Sequence, residues 1–160
     1  GDIAIKNSST GTPGLFVDYY KDRERYDRCF VKEWYITGDR GMMDEDGFFW
    51  FVSRADDVIL SAGYRIGPFE VESALLKHPA VIESAVVSSP DETRGAVVKA
   101  FVILGTEFSP NEEMKKILQE HVKMTTAPYK YPRKIEFVES LPKTVSGKIR
   151  RIELREKEGG

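Results

Sequence analysis

The sequence predicts an α+β fold, a hairpin and a three-stranded sheet packed with helices, preceded by a separate strand-rich stretch. Three observations carry this. Val58-Ile59-Leu60 and Tyr64-Arg65-Ile66 flank Ser61-Ala62-Gly63, the pattern of a tight hairpin. Residues 81–87, 96–104 and 135–138 are rich in Val, Ile, Ala and Phe, a composition suited to strands. Between them, Met114, Ile117, Leu118, His121 and Val122 recur at i, i+3, i+4, i+7 and i+8, the period of an amphipathic helix. Strands mixed with helices give an α+β domain over about residues 57–158.

In chain order, residues 3–6 alternate as a short strand, and a turn-rich stretch covers residues 7–14. Residues 18–30 are crowded with charge and weakly helical, and residues 34–37 predict a strand ending at Gly38-Asp39. Met42-Met43 and Phe48-Phe49-Trp50-Phe51 flank Asp44-Glu45-Asp46-Gly47, whose Asp-Gly pair favours a hairpin. Ser53-Arg54-Ala55-Asp56-Asp57 is then a polar break without a Gly or Pro linker, so the two sides are joined closely. Gly67-Pro68 starts a helix with Pro at its first position, and His78-Pro79 is expected to stop it. Residues 88–95 separate the two longer strands, Ser109-Pro110-Asn111-Glu112 opens the second helix, and a loop over residues 140–148 precedes a charged terminal helix.

Hydrophobic residues at 41% and charged residues at 31% fit a globular chain rather than a disordered one. Twenty-four basic against 26 acidic residues leave a net charge of −2, which argues against nucleic acid as a partner. No run approaches the ~20 apolar residues that span a bilayer. The single cysteine, Cys29, cannot form an internal disulfide and fits a reducing, intracellular compartment. Two scattered histidines beside it leave metal-ligand spacing unsupported. The opening Gly1-Asp2-Ile3-Ala4-Ile5-Lys6 is neither a signal peptide nor an Arg-rich transit peptide, and the expectation is the interior of a larger gene product.

Several residues carry two readings. Asp39 offers a carboxylate that accepts two hydrogen bonds at once, as the vicinal hydroxyls of a ribose would donate, or it is a turn aspartate. Arg54 offers several donors to ribose or phosphate oxygens, or it forms a surface ion pair with Asp56 or Asp57. Lys148, on a Ser-Gly loop, is an ammonium able to offset developing negative charge, or a solvated lysine opening a basic helix. A phosphate-binding P-loop is excluded, because position 142 is Pro where Gly is needed and Ile149 replaces the Ser or Thr. His121 is a packed histidine on or beside an apolar stripe.

Three segments in order point beyond these local readings. They are Tyr35-Ile36-Thr37-Gly38-Asp39, Ser53-Arg54-Ala55-Asp56-Asp57 continuing to Gly63-Tyr64-Arg65-Ile66, and Leu141-Pro142-Lys143-Thr144-Val145-Ser146-Gly147-Lys148. Together they resemble the final motifs of the adenylate-forming superfamily. Asp18-Tyr19-Tyr20-Lys21 and Thr126-Ala127-Pro128-Tyr129-Lys130-Tyr131-Pro132 resemble its medium-chain acyl-CoA synthetases in particular. The resemblance implies that residues 1–55 end a large adenylate-forming domain and that residues 56–160 form a mobile C-terminal domain, with a hinge at Asp56. It implies that Asp39 holds the ATP ribose, that Arg54 is a second nucleotide contact, and that Lys148 is catalytic at the α-phosphate. The family usually has Gly before this arginine, and this chain has Ser53. Ala62, Gly63 and Tyr64 are implied to line a coenzyme A tunnel, Arg94 and Lys130 to contact coenzyme A phosphates, and Arg65 to face the reacting acyl or phosphate group.

ATP, coenzyme A and Mg²⁺ are the implied cofactors, and a small carboxylic acid is the implied substrate. The phosphate loop, the acyl pocket and the Mg²⁺ ligands are expected in an upstream N-terminal domain, so the chain alone is expected to be inactive. A mitochondrial matrix location follows from the subfamily resemblance only. Two other readings stay open at this point: an adenylation domain that loads a carrier protein, and a non-enzymatic binding module.

Overall fold

The computed structural model of the chain describes residues 1–7 and 11–159, so Ser8, Ser9 and Thr10 of the expected turn-rich stretch lie outside the described residues. The chain divides into two compact units, Gly1–Asp56 and Asp57–Gly160.

The first unit is strand-rich. β1 (Asp2–Lys6), β2 (Phe30–Val31) and β4 (Phe49–Arg54) all pair antiparallel with β3 (Trp34–Met43). A short helix, α1 (Arg23–Arg28), covers only part of the charged stretch, and Asp22 caps it by accepting from the Arg25 N–H. The strand expected to stop at Gly38-Asp39 does not stop there. β3 runs on to Met43, with Gly38 at φ +78° and a register shift between Arg40 and Gly41, so the glycine bends the strand while the ladder continues through it. At the β3–β4 turn, the Asp44 carboxylate accepts from the Asp46 and Phe48 amides and the Trp50 indole, and Gly47 adopts φ +84°. Phe16, Tyr19, Tyr26, Phe30 and Tyr35 form an aromatic cluster with ring centroids 4.8–5.5 Å apart.

The second unit is the α+β domain. β5 (Ile59–Ser61) and β6 (Tyr64–Ile66) make the hairpin, and α2 (Pro68–Leu75) follows with Gly67 at its N-cap and Pro at its first position. α2 ends at Leu75, one turn before the expected stop at His78-Pro79, because Leu76 caps it and residues 77–81 form turns. β7 (Val81–Asp91) and β8 (Gly95–Leu104) pair antiparallel, and β9 (Lys134–Phe137) adds parallel to β8. The loop expected over residues 88–95 is mostly strand, since pairing persists to Asp91 and Gly95. Pro90 is tolerated there because β7 is an edge strand. α3 (Glu112–Thr125) is capped by Asn111, which accepts from the Met114 N–H, and α4 (Arg151–Lys157) closes the chain.

Alternation along the sheet builds cores on both faces. Val86, Val98, Ala100 and Val102 join Ile59, Ile66, Val71, Leu75, Leu118, Val122 and Ile135, so one face carries the hairpin, α2 and α3. Ala85, Val87 and Phe101 face the other way and meet Leu141 and Leu154, so the second face carries the segment leading into α4. This explains the near-continuous apolar runs of β7 and β8.

Candidate functional site

In the first unit, Asp39 and Arg54 are directly opposite in the β3–β4 ladder, and Arg54 Nη1 donates to Asp39 Oδ1 at 3.0 Å. The same nitrogen donates to the Thr37 carbonyl at 3.1 Å, and Arg54 Nε donates to Asp56 at 3.3 Å. A side chain at position 38 would place its Cβ 2.8 Å from Arg54 Nη2, so glycine there leaves room for the guanidinium. Burial works to lower the Arg54 pKa, but the carboxylates of Asp39 and Asp56 outweigh it and the net shift is upward. The ion-pair reading of Arg54 is met, with Asp56 and also with Asp39 as partners. Ser53, where the family usually has Gly, is 2% exposed.

In the second unit, two sets of the named residues separate. The first gathers at the hairpin. Its two-residue turn has positive φ at both positions, +47° at Ala62 and +84° at Gly63, as a type I′ turn requires. Alanine at the first of these is uncommon and carries backbone strain. The Ala62 N–H donates to the Arg94 carbonyl at 3.3 Å, which ties the β7–β8 turn to the hairpin tip. The Tyr64 ring stacks on Tyr129 at 4.2 Å between centroids, bringing in the 3₁₀ turn Pro128–Lys130. Lys130 is ion-paired with Glu70 of α2. Arg65 is exposed and stands opposite Leu60 in the hairpin ladder.

Lys148 stands apart in a turn of its own. Lys143 and Ile149 form a bridge, the Thr144 N–H donates to the Lys148 carbonyl at 2.8 Å, and the Lys148 N–H donates to Thr144 Oγ1 at 3.1 Å. Gly147 takes φ +82° to close this turn. The side chain of Lys148 is exposed and has no ion pair among the described residues, whereas Lys143 pairs with Glu83 at 2.9 Å.

Sequence reasoning missed a cationic cluster beside the hairpin set. Lys123 Nζ and the Arg133 guanidinium lie 4.3 and 4.9 Å from the Tyr131 ring centroid. The signal is the alternation of basic and aromatic residues over 129–133, Tyr129-Lys130-Tyr131-Pro132-Arg133. Cys29 donates to the Arg25 carbonyl and fits a structural role. Among the described residues no group of three or more His, Cys, Asp or Glu is placed to hold a metal, and no helix is long and apolar enough to cross a membrane.

Residues 70–148 match the model of the AMP-binding enzyme C-terminal domain. Acyl-coenzyme A synthetase ACSM3, mitochondrial, of Rattus norvegicus is 62% identical over 160 residues, 99% of this chain and 28% of that protein. The uncharacterized acyl-CoA ligase YtcI of Bacillus subtilis is 60% identical over 158 residues, 99% of this chain and 29% of that protein. The chain thus spans little more than a quarter of these relatives. Among solved structures, o-succinylbenzoate CoA synthetase of Bacillus subtilis in complex with its acyl-adenylate intermediate matches at TM-score 0.83 and 34% identity, over 97% of this chain and 30% of that one. An acyl-CoA synthetase of Brucella canis matches at TM-score 0.66 and 43% identity, over 99% and 32%.

Proposed function

We propose that this chain, which belongs to the adenylate-forming enzymes and corresponds to their C-terminal part, serves an ATP-dependent acid–thiol ligase. The carboxylic acid and ATP give acyl-AMP and pyrophosphate; acyl-AMP and coenzyme A then give acyl-CoA and AMP. The observation that carries this reading is that the strained Ala62-Gly63 tip and the exposed Lys148, which has no ion pair among the described residues, belong to segments packed on opposite faces of one sheet. Two different steps call for two different faces, and one mobile domain can present them in turn.

In this reading Lys148 Nζ approaches the α-phosphate and offsets the charge that accumulates as the carboxylate attacks. Asp39 receives the ribose hydroxyls and Arg54 supplies the second nucleotide contact; a half-buried Asp39 paired with an exposed Arg54 fits such a ligand, with Asp39 Oδ1 already held by Arg54. Ala62, Gly63 and Tyr64 line the path of the coenzyme A thiol, and Arg94 meets its phosphates. Nothing lies within 4 Å of the position a Gly63 Cβ would take, which fits a close approach of pantetheine. Lys130 would have to exchange Glu70 for a phosphate, and Arg65 would face the acyl group or phosphate. Among the described residues no group of three or more His, Cys, Asp or Glu is placed to hold a metal, and this reading puts the Mg²⁺ ligands upstream together with the phosphate loop and the acyl pocket.

The unit boundary between Asp56 and Asp57 supports a hinge at Asp56, with residues 1–55 closing a large domain and residues 56–160 forming the mobile one. Medium-chain fatty acids are the proposed substrates, on the motif resemblances of residues 18–21 and 126–132. A mitochondrial matrix location is part of the proposal, supported by the word mitochondrial in the names of the mammalian relatives; the Bacillus relative, at 60% identity, carries no such word.

The test is acid-dependent pyrophosphate release and acyl-CoA formation, measured on this chain and on the complete protein. The complete protein is expected to do both and the chain alone neither. Pyrophosphate above blank from the chain alone would remove the need for upstream residues. Transfer to carrier-protein pantetheine with none to free coenzyme A would replace the proposal by a carrier-loading enzyme.

A further inference from the structure

The adenylation reading leaves a buried carboxylate unused. Glu72, on α2, has a side chain only 8% exposed and yet is tied to the far end of the chain. Both of its oxygens are taken by Arg151, with Nη2 at 2.7 and 2.9 Å and Nε at 3.2 Å, a forked ion pair across 79 residues of sequence. One of the same oxygens accepts the Val86 N–H of β7 at 2.8 Å. Arg151 also lies 3.8 Å from Asp57, whose other oxygen takes Arg155 at 2.6 Å. Asp57 is the first residue of the second unit, so this network joins the unit's start, its first helix and its last helix.

Arg151 is the first residue of α4 and stands three positions after Lys148. α4 has seven residues, too few to hold itself by its own hydrogen bonds, and no side chain caps its start. Leu154 in the core and the arginines on Glu72 and Asp57 fix its start and middle, and Glu158 on Lys99 and Ser89 fixes its end. The intervening residues leave little slack. The Arg150 N–H donates to the Pro142 carbonyl at 2.9 Å, and Ile149 bridges Lys143. A shift at Arg151 is therefore passed to the turn that carries Lys148. A buried ion pair adds little net stability over apolar packing, but a forked one sets a single orientation.

We propose that Glu72 is a positioning residue for adenylation, acting through Arg151 to fix the start of α4 and with it the reach of Lys148. This rests on the role given to Lys148 above. Glu72→Gln keeps the acceptor for Val86 and removes the charge that holds Arg151.

In the complete enzyme, Glu72→Gln should lower kcat for adenylation about tenfold or more, the scale on which small misplacements act. KM for ATP and thioester formation from supplied acyl-AMP should stay near wild type. Amides of residues 144–149 should exchange with deuterium faster. Arg151→Gln should give the same pattern, and the double variant should lose no more than the worse single one, because one coupling is removed twice. Should Glu72→Gln fail to fold, Arg151→Gln and its exchange profile decide alone. Equal loss in both half-reactions, additive losses in the double variant, or unchanged exchange would overturn the positioning role. Lys148→Ala is the control. Loss there with wild-type Glu72→Gln overturns this proposal alone; loss in Glu72→Gln with none in Lys148→Ala overturns it and the role of Lys148 together.

Discussion

The Ala62-Gly63 hairpin and the Lys148 turn are exposed tips of the same unit, held in opposite ways. The hairpin rises straight from the core, with Ile59 0% and Ile66 1% exposed at its base, and its tip is braced by Arg94 and Tyr129. The Lys148 turn is held at its shoulders. Leu141 and Leu154 are buried and Lys143 and Arg151 are ion-paired, while Val145 at the tip is fully exposed. Local stability follows the contacts that must break for a segment to open, so the hairpin is the rigid tip and the lysine turn the compliant one. A rigid tip suits shaping a passage for a thiol. A turn held only at its shoulders suits a charge that must reach a phosphate from a fixed base.

Exchanging the chemistry of the two tips should break the comparison if it is wrong. Lys148→Ala carries the largest expected effect, a loss on the order of 10²–10³ in acid-dependent pyrophosphate exchange. Thioester formation from supplied acyl-AMP should be spared if, as proposed, the ammonium faces the nucleotide only during adenylation. Equal losses in the two assays would mean that the tips do not divide the steps. Gly63→Leu should do the reverse, with thioester output down about a hundredfold, roughly 2.7 kcal/mol in barrier, and adenylate accumulating. There is open space for a side chain at Gly63, so the added cost to folding is the strain of φ +84° rather than a clash. Slowed adenylation in this variant would show that the hairpin is misassigned.

Stability separates the tips on a smaller scale. Ile59→Val removes one methylene from the fully buried base of the hairpin and should cost about 0.5–1.5 kcal/mol in urea unfolding. Val145→Thr, at the tip of the other turn, should stay within about 0.5 kcal/mol of wild type. A comparable loss at both positions would mean that the lysine turn is packed after all.

Much of this arrangement was legible in the sequence. The hairpin at residues 58–66, the capped helix after Asn111 and the third strand near residue 135 follow from turn chemistry, capping and apolar runs. The boundaries that failed did so for tertiary reasons. Gly38 looked like a strand end because glycine usually punctuates strands, but here it admits the Arg54 guanidinium and pairing continues. Residues 88–95 looked like a loop because of Pro90 and two serines, but an edge strand tolerates proline and Ser89 is buried, bonded to Glu158 and Lys134. The ion pair between Glu72 and Arg151 had no sequence signal, since no local pattern links residues 79 positions apart. In the same way the motif around Lys130 carries an expectation of phosphate contact, while its pairing with Glu70 needed the fold.

The smallest expected effect concerns the helices behind the hairpin. Both histidines of the chain lie there: His78, just past α2, packs edge-on against His121 of α3 with ring centroids 5.1 Å apart. His121 Nε2 is bonded to the Ala74 carbonyl, and His78 Nδ1 accepts the Ala80 N–H at 3.2 Å, which requires that nitrogen to be unprotonated. Burial pushes the His78 pKa below its ordinary 6.5, and the neighbouring His121 pushes it the same way. The folded chain therefore binds the His78 proton less readily than the unfolded chain. Its contribution to stability is complete above the unfolded value and is lost as pH falls from there towards the folded pKa. The thermal midpoint should be slightly lower at pH 5.5 than at pH 7.5, by less than the shift caused by Ile59→Val. His78→Asn, whose side-chain oxygen can still accept the Ala80 N–H, should flatten that difference. Hydrogen exchange should quicken in acid, after correction for intrinsic rates, at the facing ends of α2 and α3 and not in residues 144–149. A midpoint that rises in acid, or a pH difference that survives His78→Asn, would move the titrating group elsewhere. Acid-sensitive exchange confined to the lysine turn would likewise move the titrating group away from His78.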